Sequence, residues 1–195
     1  MARTLALILG AVALAAVVAE FVRLGGRPGL ADWGARAWEM ARFFTILTNV
    51  LVAGTMLAQG LGRRVPADLA MTAVLNILMV GAVYQVLLRP EVPFQGLRFW
   101  TDLALHALVP AGALLWWLGF GPRGLAAARV PRWLIWPAAY CGYALWRGLA
   151  EGRYPYFFVD VGRFGWAQVG LNIAGLVAVF GVVGWAMAAL SRRLP

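Results

Sequence analysis

The chain contains no lysine and only one serine, one histidine and one cysteine in 195 residues, and each scarcity removes a class of chemistry. Without lysine, no Schiff base to a retinal-like aldehyde can form. The lone serine, Ser191, stands in the tail, which excludes a serine hydrolase of the rhomboid or lipase kind. One histidine cannot supply two axial ligands to haem or build a His-rich zinc or di-iron site. One cysteine, Cys141, rules out an intrachain disulfide and a cysteine-built metal site. Neither metal nor cofactor is expected. Charge is scarce too, at 13% of residues, and the net +9 comes from arginine alone. The arginines are scattered through the connections rather than gathered on one face, so lipid headgroups suit them and nucleic acid does not.

Apolar residues, in contrast, make up 63% of the chain, and several runs exceed eighteen residues. This is the composition of a polytopic membrane protein. The short alternating segments of a β-barrel do not occur, so the spanning element is the helix. The expected fold is all-α, a single domain over 1–195 with six transmembrane helices at about 4–24, 40–61, 69–88, 99–119, 133–149 and 166–190. The first run follows Arg3 and has small residues near Ala19, as a signal peptide would. At about twenty apolar residues it is longer than the usual leader core, which favours a retained helix.

Gly25, Gly26, Pro28 and Gly29 break the chain after the first helix, and Trp33 and Trp38 suit the membrane interface. Asp68 is placed to cap helix three. Pro90 and Pro93 interrupt the connection to helix four, and Pro137 falls in the first turns of helix five, where it is best tolerated. Between helices five and six, residues 151–165 are too aromatic for a solvated loop and too broken for a helix, as expected of an interfacial segment or lid.

Helix four holds the only histidine. An imidazole at membrane depth is unfavourable unless it is hydrogen-bonded or faces a polar cavity, so His106 is a functional-site candidate. Asp102 lies four residues earlier, on the same helical face. The connections one–two, three–four and five–six emerge on one side of the membrane. Thr45, near the start of helix two, and His106 therefore lie at similar depth, roughly 7–10 Å below that surface at about 1.5 Å per residue. A threonine hydroxyl needs an adjacent base to act as a nucleophile, and His106 is the only side chain suited to that near neutral pH. Thr45 and Thr48 share a face and are joint candidates, whereas Thr101 is turned largely away from His106. A structural reading stands beside this one: Thr45, Thr48 and Asn49 as packing residues, His106 as a satisfied buried group, Asp102 as a dipole-favoured first-turn carboxylate.

FFTILTN at the start of helix two, DLALHALVP in helix four and YPYFFVDVG after helix five together resemble the androgen-induced-gene family of integral membrane proteins, including its bacterial six-span relatives. Arg42-Phe43-Phe44-Thr45 matches the lead to the family threonine, and His106 before Val109-Pro110 matches the family histidine. The resemblance covers essentially the whole chain. It implies a threonine hydrolase that cleaves a lipid ester, as animal members cleave fatty acid esters of hydroxy fatty acids. Thr45 is then the nucleophile, His106 the base and Asp102 the residue that orients it. Asn49, Thr48, Arg147, Tyr154 and Tyr156 are candidates for substrate binding or the oxyanion site, with the segment from Tyr154 to Phe158 as gate. Membrane lipids and the ester are the partners. The location implied is a bacterial inner membrane with both termini cytoplasmic, since the connections on that side are short and almost free of acid. A different class remains open: a channel, transporter or small-molecule-binding bundle in which Asn49, Asn76, Gln85, Asp102, His106, Gln168 and Asn172 line a polar path. The middles of helices three and six carry no charge, contrary to what transport would favour.

Overall fold

A computed structural model describes residues 1–92 and 94–194, and Pro93 lies outside the described residues. The fold is all-α, with no strand among the described residues. Contacts divide the chain into two compact units, Met1–Pro122 and Arg123–Pro195.

In the first unit, α1 (Ala2–Leu24) is followed by the short α2 (Trp33–Met40), α3 (Phe44–Gly60) and α4 (Ala67–Val83). The last runs on into a π turn, Tyr84–Leu88. Then α5 (Gly96–Leu103), a second π turn (Ala104–Leu108) and α6 (Val109–Phe120) form one continuous apolar helix. The packing order is α1 along α3, α3 on α4, α4 on α6, with α1 also against α5 and α6. Gly10 permits the α1–α3 approach, because a Cβ there would stand 2.9 Å from the main-chain nitrogen of Leu57. Ala16, Leu24, Met40, Ile46 and Leu105 make a buried apolar cluster. Ile46 follows Thr45 and Leu105 precedes His106, so this cluster anchors the backbone on both sides of the candidate pair.

Helix two differs from expectation. Instead of running unbroken from about residue 40, the chain turns at 41–43, and α2 and α3 meet at 97°. The cause is local. Asp32 caps α2 by accepting from the Ala35 amide at 2.8 Å, WGARAWEM is amphipathic rather than apolar, and Phe43 is extended at φ −99°, ψ 127°. The connection before α2 is folded by Arg36, whose guanidinium donates to the carbonyls of Leu30, Phe21 and Ala31 at 3.1, 3.2 and 3.0 Å. Asp68 also differs, since Pro66 occupies the cap position of α4 and the aspartate falls inside its first turn.

The second unit contains the one-turn α7 (Val130–Trp133), α8 (Ile135–Glu151) and α9 (Val161–Ser191). Helix six was expected from about residue 166, but α9 starts earlier because Asp160 caps it through the Arg163 amide at 3.1 Å. Gly165, at φ 72° and ψ 164°, kinks it there.

Among the described residues, four helices are long and apolar enough to cross a membrane: Ala2–Leu24, Ala67–Leu88, Gly96–Phe120 and Val161–Ser191. Taking the bent α2–α3 pair as one span makes five. The chain is thus an all-helical protein of membrane-embedded character. The remaining candidate, α8, is only 17 residues long and carries Arg147 and Glu151.

Candidate active site

Thr45 is the second residue of α3, immediately past the bend, and its Oγ1 lies 3.3 Å from His106 Nε2. His106 comes from the π turn of the Gly96–Phe120 helix. That helix begins at Gly96 rather than near 99, so His106 sits about 15 Å along it, farther from the helix start than expected from the sequence. The other ring nitrogen, Nδ1, is 3.1 Å from Asp102 Oδ1 and 3.1 Å from the Asp102 carbonyl. Both are acceptors, which assigns the proton of the neutral ring to Nδ1 and leaves the Nε2 lone pair facing the threonine hydroxyl. This is the tautomer a general base requires.

Two further residues brace the pair. Tyr84, at the end of α4, donates its hydroxyl to Asp102 Oδ2 at 2.6 Å. Its ring stacks on His106 with centroids 3.7 Å apart and planes 10° from parallel. Nothing in the sequence reading singled it out. The signal was available, because helix three ends on the membrane side where helix four begins, and Tyr84 and Asp102 occupy facing ends.

Asn49, fully buried, donates Nδ2 to the Thr45 carbonyl at 2.8 Å and to the Leu105 carbonyl at 3.4 Å. The second bond has a cause in the sequence. In the π turn the Val109 amide reaches back to the Ala104 carbonyl, so the next carbonyl, Leu105, faces Pro110, which has no N–H. Asn49 supplies the missing donor from a neighbouring helix. An unsatisfied buried carbonyl costs about 1–3 kcal/mol. The same geometry corrects the expectation that Asn49 stabilises an oxyanion, because both amide protons are already directed at carbonyls. Gly81 of α4 lies against this segment, and a Cβ there would stand 3.0 Å from Pro110 Cβ and 3.2 Å from the His106 carbonyl.

A cavity of about 210 Å³ opens beside the array, lined by Tyr84, Gln85, Arg89, Phe99, Asp102 and His106 among others. Thr45 is not among its lining residues and is 9% exposed. Thr48 is completely buried, and Thr45 is the threonine that reaches the imidazole. Thr101 turns to α1, donating to Glu20 Oε2 at 3.3 Å.

Arg147, Tyr154 and Tyr156 belong to the second unit. Arg147 is 1% exposed, donating Nε to Glu151 Oε1 and Nη1 to the Tyr143 hydroxyl, both at 2.8 Å. Tyr154 lies against Gly148, and Tyr156 stacks on Phe158 at 5.2 Å. No family model, no curated protein and no solved structure matches the chain.

Thr45, His106 and Asp102 thus form a hydroxyl–imidazole–carboxylate chain, with Tyr84 behind the carboxylate. Chemically it can take a proton from a hydroxyl and return it to a leaving group.

Proposed function

We propose that this chain is an intramembrane threonine hydrolase that cleaves a lipid ester, and that it belongs with the androgen-induced-gene proteins it resembles in sequence. The observation that carries the reading is the 3.3 Å approach of Thr45 Oγ1 to His106 Nε2, with Nδ1 committed to Asp102. In this reading His106 takes the Thr45 proton while Oγ1 attacks the ester carbonyl. The imidazolium gives that proton to the departing alkoxide, leaving an acyl-threonine. Water, deprotonated at Nε2, attacks the acyl carbon, and the proton returns to Thr45 as the acid leaves. Asp102 holds the ring and stabilises its charged form. The oxyanion falls to the main-chain N–H of Thr45, since the first N–H groups of a helix have no acceptor within it and Phe43 offers no side-chain cap. The ester carbonyl must enter on the Nε2 edge of the ring, which requires an opening at Thr45. The six-span topology, with α8 as a short span, both termini cytoplasmic and the chain in a bacterial inner membrane, is part of the same proposal.

The test is labelling of purified protein by a fluorophosphonate probe in wild type and in the Thr45→Ala, Thr48→Ala and His106→Ala variants. Labelling lost in Thr45→Ala and His106→Ala but kept in Thr48→Ala supports the reading. Labelling that survives both of the first two contradicts it.

The cavity favours a second reading, a bundle that binds a small molecule without reaction, because Asp102 and His106 line it and Thr45 does not. Such a protein loses ligand binding in Asp102→Asn and His106→Ala but keeps it in Thr45→Ala, and no variant affects covalent labelling.

A further inference from the structure

Tyr84 is related to His106 in two independent ways. Its hydroxyl donates at 2.6 Å to the Asp102 oxygen that His106 does not use, a short charge-assisted bond that fixes the carboxylate against rotation. Its ring covers one face of the imidazole at 3.7 Å and 10°, blocking rotation of the histidine toward that side. Asp102 by itself leaves a choice open, because Nδ1 is equally close to the carboxylate and to the main-chain carbonyl, at 3.1 Å each. The stack removes that freedom.

Both stacked residues also lie in π turns, Tyr84 at the head of one and His106 within the other. A π turn inserts one extra residue into a helix and swings the side chains beyond it to a new azimuth. The turn that holds His106 packs against α4, and the two rings lie stacked between these helices. Tyr84 is 8% exposed and borders the cavity together with Asp102 and His106, so the clamp forms part of the cavity wall.

We propose that Tyr84 is a positioning residue that locks His106 in the one orientation and tautomer able to accept the Thr45 proton. The effect on reaction rate rests on the hydrolase reading, whereas the orientation itself does not. With a single histidine in the chain, selective ¹⁵N-histidine labelling gives one set of imidazole resonances, readable in lipid nanodiscs without any substrate. Wild type is expected to show protonated Nδ1, unprotonated Nε2 and a downfield hydrogen-bonded Nδ1 proton. Tyr84→Phe keeps the stack but removes the hydroxyl, and the Nδ1 proton should move upfield within one tautomer. Tyr84→Leu removes both, and the ring should become a mixture of tautomers. Fluorophosphonate labelling should slow about 10-fold in Tyr84→Phe and about 100-fold in Tyr84→Leu, the scale expected when a reacting group loses its alignment. Circular dichroism and elution volume check that each variant is folded. Imidazole signals unchanged in both folded variants overturn the proposal whether or not the protein is labelled. Altered signals in a protein that the probe never labels leave the clamp standing and remove the hydrolase reading.

Discussion

The long-range polar bonds of the two units differ in kind. In the second unit the side-chain pairs Arg147 with Tyr143 and Glu151, and Gln168 with Asn172, are local, each four residues apart within one helix. Longer reaches there involve the main chain: Asn172 donates to the Phe158 carbonyl fourteen residues away, and the Leu125 amide donates to Ser191 Oγ 66 positions away. In the first unit long-range bonds also run from side chain to side chain. Thr45 and His106 are 61 positions apart, Asn49 and Leu105 are 56 apart, and Tyr84 and Asp102 are 18 apart. Exposed local pairs on a helix, such as Gln168 with Asn172, stabilise by about a few tenths of a kcal/mol. A set of long-range polar bonds in a mostly apolar bundle is hard to explain by stability alone, because apolar packing would serve as well. That set also ends at a cavity, and it alone contains a hydroxyl facing an imidazole acceptor.

Substitutions can break this contrast, and the largest effects should fall in the first unit. Thr45→Ala and His106→Ala should each reduce fluorophosphonate labelling by about 10³-fold or more, to background, since nucleophile and base act as one unit. Asp102→Asn should slow it by about 10²-fold or more, with the helical circular dichroism retained. Gly81→Ala should come next. Its methyl would stand 3.2 Å from the His106 carbonyl, and overpacking of this kind costs about 1–3 kcal/mol, seen as a lower melting temperature and a several-fold slower labelling rate. In the second unit Arg147→Met should lower the melting temperature, by about 2 kcal/mol of stability, through the loss of two buried hydrogen bonds. Labelling of the folded fraction should stay at the wild-type rate. Gln168→Ala should be nearly silent in both measurements, at about 0.5 kcal/mol or less. A labelling loss in Arg147→Met as large as that in Asp102→Asn would erase the distinction between the units.

Much of the site was legible in the sequence because helical spacing and inventory act together. A lone histidine four residues after an aspartate has few alternatives in an apolar helix, and the parity of the connections brought Thr45 and Thr48 to its level as joint candidates. The parts not legible depend on departures from the regular helix. The α2–α3 bend follows from the Asp32 cap and the extended Phe43, which hydropathy alone reads through. The two π turns shift which side chains share a face, so the stacking of Tyr84 on His106 was not legible, although the end of helix three that carries Tyr84 could be placed near Asp102. The role of Asn49 required knowing that the π turn, with Pro110, strands the Leu105 carbonyl. An ordinary α turn would have stranded the His106 carbonyl instead, and the bond from Asn49 to Leu105 would then have no evident cause.

The most direct test of the central assignment is to locate the adduct. Wild-type protein reacted with the fluorophosphonate probe and cleaved after arginine yields a peptide beginning at Phe43 and ending at Arg63, which contains Thr45, Thr48 and Thr55. Fragmentation in the mass spectrometer distinguishes the three. The expected result is a single phosphonyl group on Thr45, absent from the His106→Ala protein. A group found on Thr48, on Cys141 or on a tyrosine, with Thr45 unmodified, would contradict the assignment of Thr45 as the nucleophile.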